Sequence, residues 1–252
     1  MYFGGALSEE TLVEKDIHPD YVSAALTHTG RVRPTNQDAF VDRVDARVWA
    51  VADGMGGHME GDVASRLACE ALNHVKPGAT LDRTMDDIQR RMGHVNAKLY
   101  AAAVRPRNPV QSGSTLVTFV AHRTDCAVLW AGDSRLYRLR GNQFMQITTD
   151  HTWAAQMAPH LPPDDPLLEE DHSIMRAVGG EHSLVLEVRR DKVQRGDRYL
   201  LCSDGLTREL SSDQIATRLA SGDVNAAAQS LLEATLIAGA RDNVTVVVIE
   251  AV

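Results

Sequence analysis

The sequence predicts an α+β protein built from two packed, mainly antiparallel β-sheets flanked by pairs of α-helices, a four-layer α-β-β-α order. Three observations predict it. Short runs of β-forming residues, separated by turn residues, fill the first fifty positions. The apolar period then changes to helical spacing, and this happens twice, each time as a pair of helices. Strand-like runs return after each pair, an order that packs sheet on sheet with the helices outside.

The first strands are read at Tyr21 to His28 ("YVSAALTH"), Asp38 to Val44 ("DAFVDRV") and Val48 to Asp53 ("VWAVAD"). Their close succession suggests an antiparallel meander. After a glycine-rich turn, Val63, Leu67, Ala71, Leu72 and Val75 recur at helical spacing. Leu81, Met85, Ile88, Met92, Val95 and Leu99 follow in a four-three rhythm, and Pro77-Gly78 separates the two helices. Strands resume at Ser114 to His122, Cys126 to Asp133, Arg135 to Arg140 and Gln143 to Ile147, the last two joined by the hairpin signal Gly141-Asn142. The stretch "APHLPPDDPLLEED" is proline-rich, acidic and aperiodic, so an exposed flap is expected over about 153–171. Further strands, "LVLEVRRDKV" and "DRYLLCSD", lead to a helix pair opened by Ser211 with Gln214 in a capping box, and "NVTVVVIEA" closes the sheet.

At 252 residues the chain suffices for one large core, and no linker divides it. Residues 21–252 are read as a single domain and residues 1–20 as an N-terminal extension. The net charge of −8 argues against a phosphate-backbone binder, whose footprint would be a basic stripe. Cys69, Cys126 and Cys202 are widely spaced in apolar contexts and read as reduced core residues. The acidic N-terminus lacks the pattern of a signal peptide, and the longest apolar runs fall short of the roughly 20 residues of a membrane helix. A soluble, cytoplasmic, monomeric protein is expected, with neither nucleic acid nor membrane as a partner.

Carboxylates mark the ends of the apolar strands. Asp53 follows "VWAVA", Asp133 follows "AVLWAG", Asp204 follows "YLLCS", and Asp242 precedes "NVTVVVI". Taken singly, an Asp-Gly after a strand is a turn. Four such positions in one chain suggest convergence, and bare carboxylates about 4 Å apart would repel by roughly 4 kcal/mol per pair at an effective dielectric of 20. Such a cluster requires cations, and oxygen-only ligands select hard ions such as Mg²⁺ or Mn²⁺. Two of these ions form a clamp for in-line hydrolysis at phosphorus. The Gly54 carbonyl can add a ligand, and Gly56-Gly57 lets backbone approach closely.

"GRVRPTNQD", "VADGMGGHMEGDVAS", "GDSRLYRLR", "LLCSDGL" and "RDNVTVVVI", in this order, closely resemble the motif series of the metal-dependent Ser/Thr protein phosphatases of type 2C, especially the bacterial branch. The resemblance covers about Tyr21 to Val252. It implies hydrolysis of phosphoserine and phosphothreonine in proteins by direct attack of a metal-bridging hydroxide, with no phosphoenzyme. It also implies that Asp53 bridges two Mn²⁺ or Mg²⁺ ions, that Gly54 completes the first, that Asp204 and Asp242 hold the second, and that Asp38 acts through coordinated water. Arg33 matches the arginine that grips the substrate phosphate. Phosphorylated proteins are the implied substrates, and a cognate Ser/Thr kinase is the implied opposing partner.

The chain also departs from the family. Gln37 stands where a Glu is usual, and Met55 stands where many eukaryotic relatives have the His of the leaving-group acid. His58 is either that acid or a loop histidine, and His151 raises the same question. Many bacterial relatives carry an Asp at the position of Arg208, which with the equivalents of Asp133 and Asp204 helps hold a third ion. An arginine cannot ligate a cation, so any third ion is expected to be weak or absent. Cys202 lies near Asp204 but reads as a buried thiol. Two other readings of the same fold stay open: a pseudophosphatase or regulatory module that binds phosphoprotein without turnover, and a phosphatase for small phosphometabolites.

Overall fold

The computed structural model describes residues 19–56, 61–105, 112–158, 160 and 173–252. Strands β1 (Tyr21–His28), β2 (Asp38–Arg43) and β3 (Val48–Gly56) precede helices α1 (Gly61–Asn73) and α2 (Leu81–Ala103). Strands β4 (Ser112–Ser114), β5 (Leu116–His122), β6 (Asp125–Ala131), β7 (Arg135–Arg140) and β8 (Gln143–Gln146) follow. The short helix α3 (Trp153–Met157) leads to β9 (Glu187–Lys192) and β10 (Arg198–Cys202). A single helical turn, α4 (Asp204–Thr207), helices α5 (Ser212–Leu219) and α6 (Val224–Ala238), and β11 (Val244–Ala251) complete the order.

The strands form two antiparallel sheets, β1-β11-β10-β7-β8 and β2-β3-β5-β6-β9, with β4 paired to the end of β3. Alternation along β3 shows how the layers arise. Val48, Ala50 and Ala52 face a core shared with Ala64, Ala68 and Leu72 of α1 and Ile88 and Met92 of α2. Trp49 and Val51, on the other face, meet Phe119, Tyr199, Val247 and Ile249 between the two sheets. A third core joins Leu200, Val246 and Val248 to Ile215 and Leu219 of α5 and Leu231 of α6. Period-two side chains therefore make the inter-sheet core and helical stripes seal the outer faces, which is the predicted α-β-β-α order. At about 1.5–3 kcal/mol per fully buried large apolar side chain, these cores dominate the favourable side of folding.

The helix starts follow their caps. Thr80 accepts from the Arg83 amide at α2, and Ser211 with Gln214 forms the predicted capping box at α5. Beyond shifts of one or two residues at strand ends, three elements differ from the sequence reading. Strand β3 continues past Asp53 to Gly56, because Gly54, Met55 and Gly56 pair with Ser114, Gly113 and Ser112. The run read from Leu184 pairs with β6 only from Glu187, opposite Trp130; Leu184 and Leu186 pack into the helix-side core instead. Trp153–Met157 of the expected flap is helical.

Most of the remaining flap, His58 and nearly all of the N-terminal extension lie outside the described residues. Among the described residues, no helix is long and apolar enough to cross a membrane. Antiparallel pairing also brings one end of the sandwich into focus. The start of β2, the ends of β3, β6 and β10, and the start of β11 all lie there.

Candidate metal centre

Asp38, Asp53, Asp133, Asp204 and Asp242 gather at that end. Asp38 opens β2 directly opposite Asp53 of β3, so the two side chains share one face of the sheet. Oδ2 of Asp38 accepts 2.7 Å hydrogen bonds from the hydroxyls of Ser203 and Thr245, while its buried Oδ1 has no hydrogen-bond partner. Asp53 is fixed through its backbone: its amide donates to the Thr115 hydroxyl at 3.0 Å, and its carbonyl accepts from the Thr115 amide at 2.8 Å. Thr115 also shares a 2.7 Å hydroxyl contact with Ser134, beside Asp133.

Gly54 is dictated by space, not by dihedral angle. Its amide donates to the Gln37 carbonyl at 3.1 Å, and a Cβ at this position would run into the Gly61 carbonyl at the start of α1. Gly56, by contrast, adopts a φ of 145°, which L side chains rarely take. The main chain of Gln37 is a hub: its carbonyl also accepts from the Ser65 hydroxyl at 2.5 Å, and its amide donates to Asn243 Oδ1 at 2.8 Å.

Burial pushes the carboxyl of Asp53 well above its ordinary range, and the charges of Asp38, Asp204, Asp133 and Asp242 add to the effect. Asp38 is pushed up to about 7, mainly by burial and against the two hydroxyl bonds it accepts. Asp133 is also pushed up to about 7, by burial and then by Asp204 and Asp150. Asp204 is raised by burial, with Arg208 acting in the opposite direction. The buried Oδ1 atoms of Asp133 and Asp204, like that of Asp38, have no hydrogen-bond partner. An acceptor-only carboxylate oxygen left without a donor inside a protein is a strong demand for a cation. These residues therefore fit a hard divalent ion by charge and by donor type.

Two arginines occupy the rim. Arg33 forks onto Asp242, Nε to Oδ1 at 2.8 Å and Nη2 to Oδ2 at 2.6 Å, with about half of its side chain exposed. Arg208 sets Nη2 2.6 Å from Oδ2 of Asp204, four residues back across the single turn α4. Two of the expected ligands are thus held by guanidinium groups. Consistent with this, no group of three acidic or histidine side chains among the described residues stands ready-made as a metal cage.

The histidine question resolves for His151. It is buried and stacked on Trp130; Nδ1 accepts from the Gly132 amide at 3.1 Å, and Nε2 lies 2.9 Å from Glu187. Both ring nitrogens are engaged structurally, so His151 is a packing residue of the loop beside Asp133. Glu209 turns to Arg241 at 2.9 Å and does not replace a ligand at the position of Arg208. Burial pushes the Cys202 thiol up to about 12, the behaviour of an inert core cysteine.

Sequence reasoning missed the residues that position the cluster. Ser203 and Thr245 hold Asp38. The Asn243 side-chain amide donates to the carbonyls of Thr29 and Thr35 at 2.8 and 2.9 Å, tying the loop that carries Arg33 to the start of β11. Gly205 leaves room for the Asn243 carbonyl, against which a Cβ would collide. The available signal was adjacency: each of these residues sits next to, or close after, a candidate ligand in "CSDGL" and "RDNVT".

Residues 28–236 match the model of a family described as protein phosphatase 2C. The serine/threonine protein phosphatase PstP of Mycobacterium tuberculosis is 36% identical over 236 residues; the match spans 91% of this chain and 45% of PstP, so the chain covers about half the length of that relative. A solved structure of the PstP catalytic domain in complex with two manganese ions superposes with a TM-score of 0.81 at 35% identity, covering 92% of this chain and 98% of that one. PppA of Pseudomonas aeruginosa, described as a key regulatory component of T6SS, superposes with a TM-score of 0.85 at 35% identity, covering 93% and 99% of the two chains.

Proposed function

Because this chain belongs to the protein phosphatase 2C family, we propose that it is a metal-dependent phosphatase hydrolysing phosphoserine and phosphothreonine in proteins. The observation that carries this reading is the set of buried and half-buried carboxylates converging from five chain segments, with unpartnered oxygens on Asp38, Asp133 and Asp204. Intact Asp53, Asp204 and Asp242 argue against a regulatory module without turnover.

In this reading Asp53 would be shared by two Mn²⁺ or Mg²⁺ ions, and the Gly54 carbonyl would complete the first. Asp204 and Asp242 would hold the second ion, and Asp38 would act through coordinated water. Bound divalent ions supply a water of lowered pKa and neutralise phosphoryl charge. The chain's own residues do the remainder. Ser203 and Thr245 keep the Asp38 carboxylate oriented, Thr115 anchors the backbone of Asp53, and Arg33 offers a planar fork to the phosphoryl oxygens. Arg208 stands beside Asp133 and Asp204, so a third ion there is weak or absent. His58 remains the candidate for protonating the leaving oxygen. Cys202, buried with a raised pKa, takes no part as a nucleophile.

The domain is read as one catalytic unit over 21–252, with substrate choice lying in the flap. Phosphorylated proteins and an opposing Ser/Thr kinase are its partners, in the cytoplasm, and it acts as a monomer. The test is hydrolysis of a phosphothreonine peptide by purified protein. Activity with Mn²⁺ or Mg²⁺ that disappears in EDTA is expected, and full activity after exhaustive chelation contradicts the reading.

A further inference from the structure

Arg33 and Arg208 face the same recess. Both line a cavity of about 250 Å³ whose walls include Asp53, Gly54 and Asp242, and both line an adjoining cleft of about 520 Å³. Arg135 and Arg241 also line the larger cleft, but they are committed elsewhere and do not border the recess. Arg135 places Nε and Nη2 on Asp150 and Nη1 on the Tyr137 hydroxyl, and Arg241 is held by Glu209.

The backbone sets Arg208 where it is. As the cap of α4, it donates its amide to the Asp204 carbonyl at 2.9 Å, which brings its side chain over the Asp204 carboxylate. Asp204 is the buried member of the pair at 13% side-chain exposure, and Arg208, at 50%, is at the mouth. Arg33 and Asp242 repeat the pattern at 53% and 22%. A guanidinium stays protonated, cannot bind a cation and carries five donors in a fork that matches phosphate oxygens.

We propose that Arg208 is a second phosphate-contacting residue, which pairs with Arg33 across the recess and is parked on Asp204 until that carboxylate engages a cation. The proposal rests on the phosphatase reading. A divalent ion on Asp204 takes over the charge that now holds Arg208, and the released fork turns to an anion in the recess. Metal and phosphate therefore bind with positive coupling, and by linkage each tightens the other.

The test is calorimetric titration of inorganic phosphate into the wild type, Arg208→Ala and Arg208→Lys, each at saturating Mn²⁺, with Mn²⁺ affinity measured separately without phosphate. Loss of a charge-assisted contact predicts phosphate binding weaker by about tenfold or more in Arg208→Ala. Partial recovery is expected in Arg208→Lys, whose ammonium is a point charge and not a fork. Mn²⁺ affinity is expected to stay the same or tighten in Arg208→Ala, because an internal competitor for Asp204 has gone. Equal phosphate affinity in the wild type and Arg208→Ala overturns the assignment. So does a phosphate loss matched by an equal loss of Mn²⁺ binding, since Arg208 would then act only through the metal site. A wild type that binds Mn²⁺ but no phosphate overturns the phosphatase reading itself.

Discussion

Asp38 and Asp53 stand directly opposite each other across the β2–β3 ladder, two carboxyl groups on one sheet face. Like charges in that relationship destabilise a sheet. The hydroxyls of Ser203 and Thr245 satisfy only one oxygen of Asp38. The end of the sandwich is therefore built at a cost in stability that a bound cation would offset.

The metal-free protein should become more stable on acidification. Asp38 and Asp133 are each raised from the ordinary 3.8 to about 7 in the folded state, chiefly by burial. A folded-state pKa above the unfolded one contributes stability that is complete below about pH 4 and is lost as pH rises through about 7. In EDTA the melting temperature should rise by on the order of 5 °C between pH 8 and pH 5. Mn²⁺ should reduce that slope, and Asp38→Asn should reduce it in EDTA. A flat or inverted profile in EDTA, followed by circular dichroism, counts against the carboxylate cluster.

Two glycines make opposite predictions. At Gly54 a methyl group meets the Gly61 backbone, so Gly54→Ala should destabilise by about 1–3 kcal/mol and weaken Mn²⁺ binding. At Gly93, inside α2, a Cβ meets nothing within 4 Å, and Gly93→Ala should stabilise by about 0.5–1 kcal/mol. Urea denaturation of both variants measures the pair, and a neutral Gly54→Ala would remove the close β3–α1 approach from the account.

What the sequence made legible follows from periodicity and local chemistry. The apolar run of Val48 to Ala52 located β3, though not its two faces, the four-three rhythm of Leu81 to Leu99 located α2, and Ser211 with Gln214 marked the start of α5. The candidate ligands were legible because each interrupts or borders an apolar run. The strand pairing of Gly54 to Gly56 was not, because β4 is only a short "SGS" segment without a hydrophobic pattern of its own. Nor was the parking of Arg33 and Arg208 on Asp242 and Asp204. Arg33 and Asp242 lie 209 residues apart, and their contact depends on Asn243 joining the loop of residues 29–37 to β11. His151 could be judged only once Trp130 and Glu187 were seen around it.

Arg33→Ala should raise KM for a phosphothreonine peptide by about tenfold, with a smaller loss in kcat. Its fork onto Asp242 adds a second consequence: removal frees a candidate ligand, so Mn²⁺ affinity should be kept or tightened. Steady-state kinetics alongside metal titration separate the two effects. Unchanged KM with weakened Mn²⁺ binding would make Arg33 a support for the metal centre and not a substrate contact.

The central claim is that Asp53 is the ligand common to two ions. Calorimetric titration of Mn²⁺ into the wild type and Asp53→Asn, paired with turnover of a phosphothreonine peptide by the same samples, tests it most directly. Asp53→Asn is expected to lose the tight Mn²⁺ binding of both ions together and, with it, turnover even at high Mn²⁺, while its folded circular dichroism spectrum is retained. Wild-type Mn²⁺ binding and near-wild-type turnover in Asp53→Asn would contradict it.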